Sequence, residues 1–225
     1  EVVLNGTGDQ VITTDGSGEL HDLTIDKASG TVTLGNDLEI SGNLTVVNGN
    51  FDPAGHTIEF QGYNTTIDAA GVTFGDVTIN TSGTTTFTND IAISGDLTIE
   101  ATQRIDGAQL QVAGNVTAND SNWYGSAEVV LNGTGDQVIT TDGSGELHDL
   151  TIDKASGTVT LGNDLEISGN LTVVNGNFDP AGHTIEFQGY NTTIDAAGVT
   201  FGDVTINTSG TTTFTNDIAI SGDLT

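Results

Sequence analysis

The stretch DLTIDKASGTVTLGNDLEISGNLTV, Asp22 to Val46, decides how the rest of the chain reads. It recurs letter for letter at Asp149 to Val173. A looser echo, DVTINTSGTTTFTNDIAISGDLTI, runs from Asp76 to Ile99 and keeps 14 identities in 24 aligned positions. Within the stretch, Leu23-Thr24-Ile25, Val32-Thr33-Leu34, Leu38-Glu39-Ile40 and Leu44-Thr45-Val46 each put two apolar side chains on one side and a polar one on the other. That is strand periodicity. Gly, Asn, Asp and Ser separate the groups, as in Gly35-Asn36-Asp37 and Ser41-Gly42-Asn43, and these residues suit tight corners. No stretch sustains a helical spacing, so the chain is expected to be all-β.

A second spacing selects the architecture. Leu23/Ile25 and Leu44/Val46 are 21 residues apart; Leu38/Ile40 and Ile58/Phe60 are 20 apart. Val77/Ile79 and Leu97/Ile99 are 20 apart, and Ile91/Ile93 and Leu110/Val112 are 19 apart. A coil of about 20 residues with about three short strands accounts for all four pairs, and such coils stack into a parallel β-helix, or β-solenoid. Apolar side chains then fill the tube and Thr and Asp face water. Gly62 to Gly71 and Ala118 to Ala127 fit the coil poorly and read as loops or bulged coils. The alternative is a tandem of β-sandwich domains, each of about 100 residues and about seven strands.

Above the coil lies a longer repeat. Residues 1–98 return unchanged as 128–225, so 1–127 is one complete unit and 128–225 a partial second one. The chain reads as a window on a longer array. Number and length, rather than one unique site, are what identical copies supply.

Composition narrows the function. Among 225 residues there are 31 Asp and Glu against 3 Lys and Arg, a formal charge of -28. Three cations cannot neutralise a phosphate backbone, so no nucleic-acid partner is expected. No segment approaches the roughly 18 apolar residues of a membrane span, so no membrane insertion is expected of this segment. There is no Cys and no Met, which suits an oxidising exterior and excludes a thiolate metal site.

Few residues stand out for chemistry. Asp15-Gly16-Ser17-Gly18-Glu19 followed by Asp22 offers hard oxygen ligands, making Asp15, Glu19 and Asp22 candidates for loosely bound calcium, although no required cofactor is expected. His21 and His56 recur as His148 and His183, without a second His or Cys at a metal-ligand spacing. Trp123 and Tyr124, the one adjacent aromatic pair, could stack on a sugar ring or a neighbouring fibre. Six Asn per unit, from Asn5 to Asn119, lie in Asn-X-Ser/Thr triplets, which a corner Asn followed by an alternating strand also generates. Paired carboxylates could support polysaccharide cleavage, but with Lys27 and Arg104 the only cations of a unit nothing singles out a catalytic pair.

The run LHDLTIDKASGTVTLGNDLEISGNLTVVNGNFDPAGHTIEFQG, Leu20 to Gly62, resembles the β-strand repeats of very large secreted bacterial surface proteins. Asp52-Pro53-Ala54-Gly55-His56-Thr57-Ile58 matches their closing element, and Phe74 to Gly114 follows more loosely. Such proteins look like the solenoid passengers of filamentous haemagglutinins and autotransporters. The resemblance implies export to the cell surface, great length, and adhesion or scaffolding, with no catalytic residues to carry over. The expected function is therefore a stiff spacer or filament in an extracellular fibre, stalk or adhesin. Its partners would be neighbouring repeats and other copies of the fibre. Repeated glycan-, ion- or fibre-binding is the alternative, and a polysaccharide-active enzyme a third.

Overall fold

A computed structural model describes residues 1–15, 18–100, 104–119, 125–142 and 145–225. Among them there is no helix, and every strand pairing is parallel. The four spacings read from the sequence are pairings of the fold: Leu23 lies opposite Leu44, Leu38 opposite Ile58, Val77 opposite Leu97 and Ile91 opposite Leu110. A sandwich built from hairpins would be antiparallel, so that alternative fails. The chain is a β-solenoid of about ten turns.

The tube has three faces, and a coil runs along each in turn, in short strands or, as in Leu23–Leu34 and Leu44–Asp52, in one long strand that spans two faces. In the first repeat, Val2–Leu4, Thr65–Asp68, Thr84–Phe87, Arg104–Gly107 and the beginnings of Leu23–Leu34 and Leu44–Asp52 pile up on a first face. Thr73–Phe74, Ile91–Ile93 and Gln109–Val112 stack on a second. Glu19–Leu20, Leu38–Ile40, Ile58–Gly62, Val77–Thr81, Leu97–Ile99 and Val116–Ala118 stack on a third. Leu23, Ile25, Ile40, Phe60, Ile79 and Leu97 are among the side chains that fill the tube with no exposed surface. Each such burial contributes about 1.5–3 kcal/mol. Phe60 and Phe74 meet edge to face, 6.4 Å apart.

Two details differ from the sequence reading. The stretch Gly62 to Gly71 is not a loop: it holds the strand Thr65–Asp68, aligned with Leu44 through Ile67. Its first inward position carries Thr65 instead of an aliphatic residue, which hides the alternation. Two further inward threonines satisfy one another, through the 2.7 Å bond between the Thr81 and Thr85 hydroxyls.

The stack does not pause at the repeat boundary, but it shifts. Glu128–Leu131 copies the first-face strand Val2–Leu4, preceded by Glu1, yet pairs with Gln109–Val112 on the second face. Gln137–Thr141 copies a second-face segment, yet pairs with Val116–Ala118 on the third. Glu146–Leu147 copies a third-face strand and begins a stack with Leu165–Ile167, Ile185–Phe187 and Val204–Ile206 that continues the first face. A 127-residue unit thus makes six coils and one further face. Identical sequence occupies successive sides of the tube.

Corners are closed by glycine and by a side-chain ladder. A Cβ on Gly83 would stand 1.9 Å from the Tyr63 carbonyl oxygen of the preceding coil, so only glycine lets the coils meet there. At the corner before the first face, Asp22 Oδ1 accepts the Asn43 N–H at 2.8 Å, and Asn43 Oδ1 accepts the Thr66 N–H at 2.8 Å. At the corner before the third, Asp76 accepts the Asp96 N–H at 2.8 Å, Asp96 the Asn115 N–H at 2.6 Å, and Asn115 the Val138 N–H at 2.9 Å. These aspartates do more than face water: each holds the backbone of the next coil. Asp96→Ala should therefore destabilise the chain by about 1–2 kcal/mol, whereas Asp96→Asn, the residue used at positions 43 and 115, should leave it nearly unchanged. Urea denaturation of both variants checks this; equal losses would show that the charge, not the acceptor, matters.

Candidate functional site

Of the three basic side chains, two lie inside the fold. Lys27 is 1% exposed and Lys154 2%. Each sits where the strand beginning at Leu23, or its copy, bulges after Ile25 or Ile152. Lys27 Nζ donates to the carbonyls of Gly6 at 3.0 Å and Gly8 at 2.7 Å and to Gln10 Oε1 at 2.7 Å. Lys154 repeats the arrangement with Gly133 at 2.6 Å, Gly135 at 2.8 Å and Gln137 Oε1 at 2.5 Å. All three ammonium protons are used, and the loop of the preceding coil is wound around them. Burial lowers the Lys154 pKa, and the charge of Asp136 opposes the shift. Gln137 also donates to Val112 O at 3.1 Å and to Gly114 O, so one network joins the two repeats. The lysines are structural clips. Their signal was present in the sequence: Lys27 stands at the inward parity of Leu23 and Ile25.

The calcium candidates do not assemble. Asp15 and Glu19 are exposed, and Asp22 is engaged with the Asn43 N–H. Gly16 and Ser17 lie outside the described residues, as do Trp123 and Tyr124. Among the described residues no three His, Asp or Glu side chains are placed to hold a metal ion, and Asp15, Glu19 and Asp22 form no such group. A trough of about 430 Å³ lined by Asp37, Glu39 and Glu59 is acidic, but its acids have partners. Gln61 donates to Glu39 at 2.9 Å, Asn80 to Glu59 at 3.0 Å, and the Thr57 N–H to Asp37 at 2.9 Å. His56 Nδ1 lies 3.5 Å from Asp37 Oδ1, a contact between adjacent coils repeated at His183 and Asp164.

The arrangement with most scope for recognition lies where the second repeat docks on the first. Arg104 and Gly125 of one repeat and Glu146, His148, Ser168, Gln188 and Tyr190 of the next line a groove of about 490 Å³ on the outer side of the first face. Gln188 Nε2 bridges Glu166 at 2.6 Å and Glu146 at 3.2 Å, while His148 Nδ1 meets Ser168 Oγ at 3.2 Å. Burial raises the Glu146 pKa; a bond with Ser168 opposes this and the neighbouring Glu166 adds to it. Its copy Glu19 is exposed. Arg104 is half exposed and paired with Asp106 at 2.5 Å, which raises its pKa. Tyr190 is 71% exposed, as is its copy Tyr63. The sequence reading passed over these tyrosines, although an aromatic between Gly62 and Asn64, at a corner outside the alternation, was a visible anomaly.

No family model, curated protein or solved structure matches this sequence.

Two outcomes follow from the buried charges. Lys154→Met strips three acceptors of their donor and should cost roughly 3 kcal/mol, with faster proteolysis at residues 132–137; unchanged urea stability and cleavage would mean the clip is dispensable. For Glu146, the folded chain holds its proton to higher pH than the unfolded chain. Stability should therefore fall as pH rises from the ordinary glutamate value through the raised one. Glu146→Gln should flatten that part of the profile and raise the thermal midpoint at pH 7; a variant with the parent's pH profile would contradict the assignment.

Proposed function

We propose that this chain is a segment of a stiff extracellular or cell-surface filament, a spacer whose length is set by the number of repeats. The observation that carries the reading is the uninterrupted pairing of Gln109–Val112 with Glu128–Leu131 and of Val116–Ala118 with Gln137–Thr141. Two domains joined by a linker would bend at residue 127. Here the strand ladders, the apolar tube and the Gln137–Lys154 network all cross that point, so added copies lengthen one body. The resemblance of Leu20 to Gly62 to secreted surface repeats supports the location, and the absence of Cys and Met agrees with it. The outward charge suits a surface filament as well. With both lysines internal, Arg104 is the one basic side chain outside, and the acidic exterior keeps fibres apart in dilute solution.

Each coil advances about 4.8 Å along the axis, so one repeat adds about 30 Å. Chains carrying two, four and eight copies, viewed by negative-stain microscopy, should be straight rods that lengthen by that increment. Strings of beads with flexible joints would overturn the spacer reading.

A further inference from the structure

We propose that the groove at the repeat junction is a binding site for a neutral, linear saccharide, and that it is completed only when one repeat docks on the next. Its long axis follows the stack. Arg104, Gly125, Glu146, Ser168 and Gln188 come from successive coils, so the groove runs for about 20 Å along the fibre at about 4.8 Å per coil. An extended polymer fits that shape; a compact ligand would fill only part of it.

The chemistry of the walls selects the polymer. Tyr190 is open to solvent in the groove it shares with the hydroxyl of Ser168, the imidazole of His148 and Gln188, whose Nε2 is held by Glu146 and Glu166 and whose carbonyl oxygen can accept. A flat apolar surface next to fixed hydrogen-bonding groups complements a sugar ring, which offers C–H bonds on its face and hydroxyls at its rim. Charge excludes the acidic sugars. The chain carries a formal -28, Glu146 lines the groove, Glu166 is bonded to Gln188 of its wall, and Arg104 already faces Asp106. A uronate or sialate would approach against that field.

The composite nature of the site makes the inference sharp. Tyr63 and Tyr190 have the same sequence context and the same exposure, yet only Tyr190 follows coils that supply Arg104 and Gly125. The 225-residue chain therefore holds two copies of this corner tyrosine, Tyr63 and Tyr190, but one finished groove, and grooves should number as the repeat junctions do. Because each repeat sits one face further around the tube, successive grooves open on successive sides. One straight saccharide cannot lie in two of them, so each junction binds on its own.

The test uses the intact chain and a panel of linear hexasaccharides: the neutral cello-, malto-, manno- and chitohexaose, with hexamers of galacturonate as the anionic comparison. Calorimetry and saturation-transfer NMR should find one site per chain for a neutral member. Tyr190→Ala should weaken binding at least tenfold and Arg104→Ala several-fold, while Tyr63→Ala leaves it unchanged. All three positions are exposed, and circular dichroism confirms that each variant folds. Two equal sites per chain, equal effects of Tyr63→Ala and Tyr190→Ala, binding of the galacturonate hexamer alone, or no binding by any neutral member would overturn the proposal.

Discussion

Parallel, in-register stacking is the constraint on which the rest of this structure depends. It sets every outward side chain beside the residue about 20 positions later, one coil away. Like charges would then recur about every 4.8 Å, and 31 acids with three bases cannot relieve this by ion pairing. The chain relieves it with amides and backbone N–H groups. Asn48 donates to Asp26 at 2.8 Å, Asn89 to Asp68 at 2.6 Å, Gln109 to Glu128 at 2.8 Å and Asn207 to Glu186 at 2.9 Å. Corner aspartates take the N–H of the next coil instead. Carboxylates are thus stacked mostly against donors. Where Glu146, Glu166 and Glu186 fall in one register, Gln188 bridges the first two, and there burial and a like charge raise a pKa.

Much of this was legible in the sequence. Leu23, Leu38, Val77 and Ile91 each found the partner that their spacing named, because aliphatic alternation is a direct record of which side of a strand is dry. What escaped was carried by residues with two meanings. Thr65 looks outward-facing but lies inside. Lys27 looks like a surface charge, yet the carbonyls that hold it belong to residues 6 and 8, about 20 positions earlier. Asp96 reads as a solvated acid, since nothing local reveals that its acceptor is aimed at residue 115. The groove was harder still, because Arg104 and Tyr190 are 86 positions apart and come to line one groove only through the stack.

The one-face shift between repeats shows how little a coil knows about which side it occupies. The segments copied from the third face sit on the first, with Glu166 opposite Glu186 as Glu39 is opposite Glu59. Each coil needs only a neighbour of matching alternation above and below. The unit length is therefore free of any obligation to be a whole number of turns. A remainder of one face spreads every surface feature around the tube, so a long array has no chemically distinct back.

The hydrogen bonds between coils have one further consequence, which is mechanical. They point along the tube axis, from Leu23 to Asn43 or from Leu97 to Asn115, and no bond of the ladders runs across the direction of a pull on the two chain ends. Tension on the two ends of the solenoid would not load many strands in shear. It would open them in sequence from an end, each coil of about 20 residues paying out roughly 70 Å of extended chain. The lysine clips and the corner aspartates set the force at each step. A solenoid of this kind is rigid at rest and yields by lengthening, so a sudden load on its two ends would be met by gradual give rather than rupture.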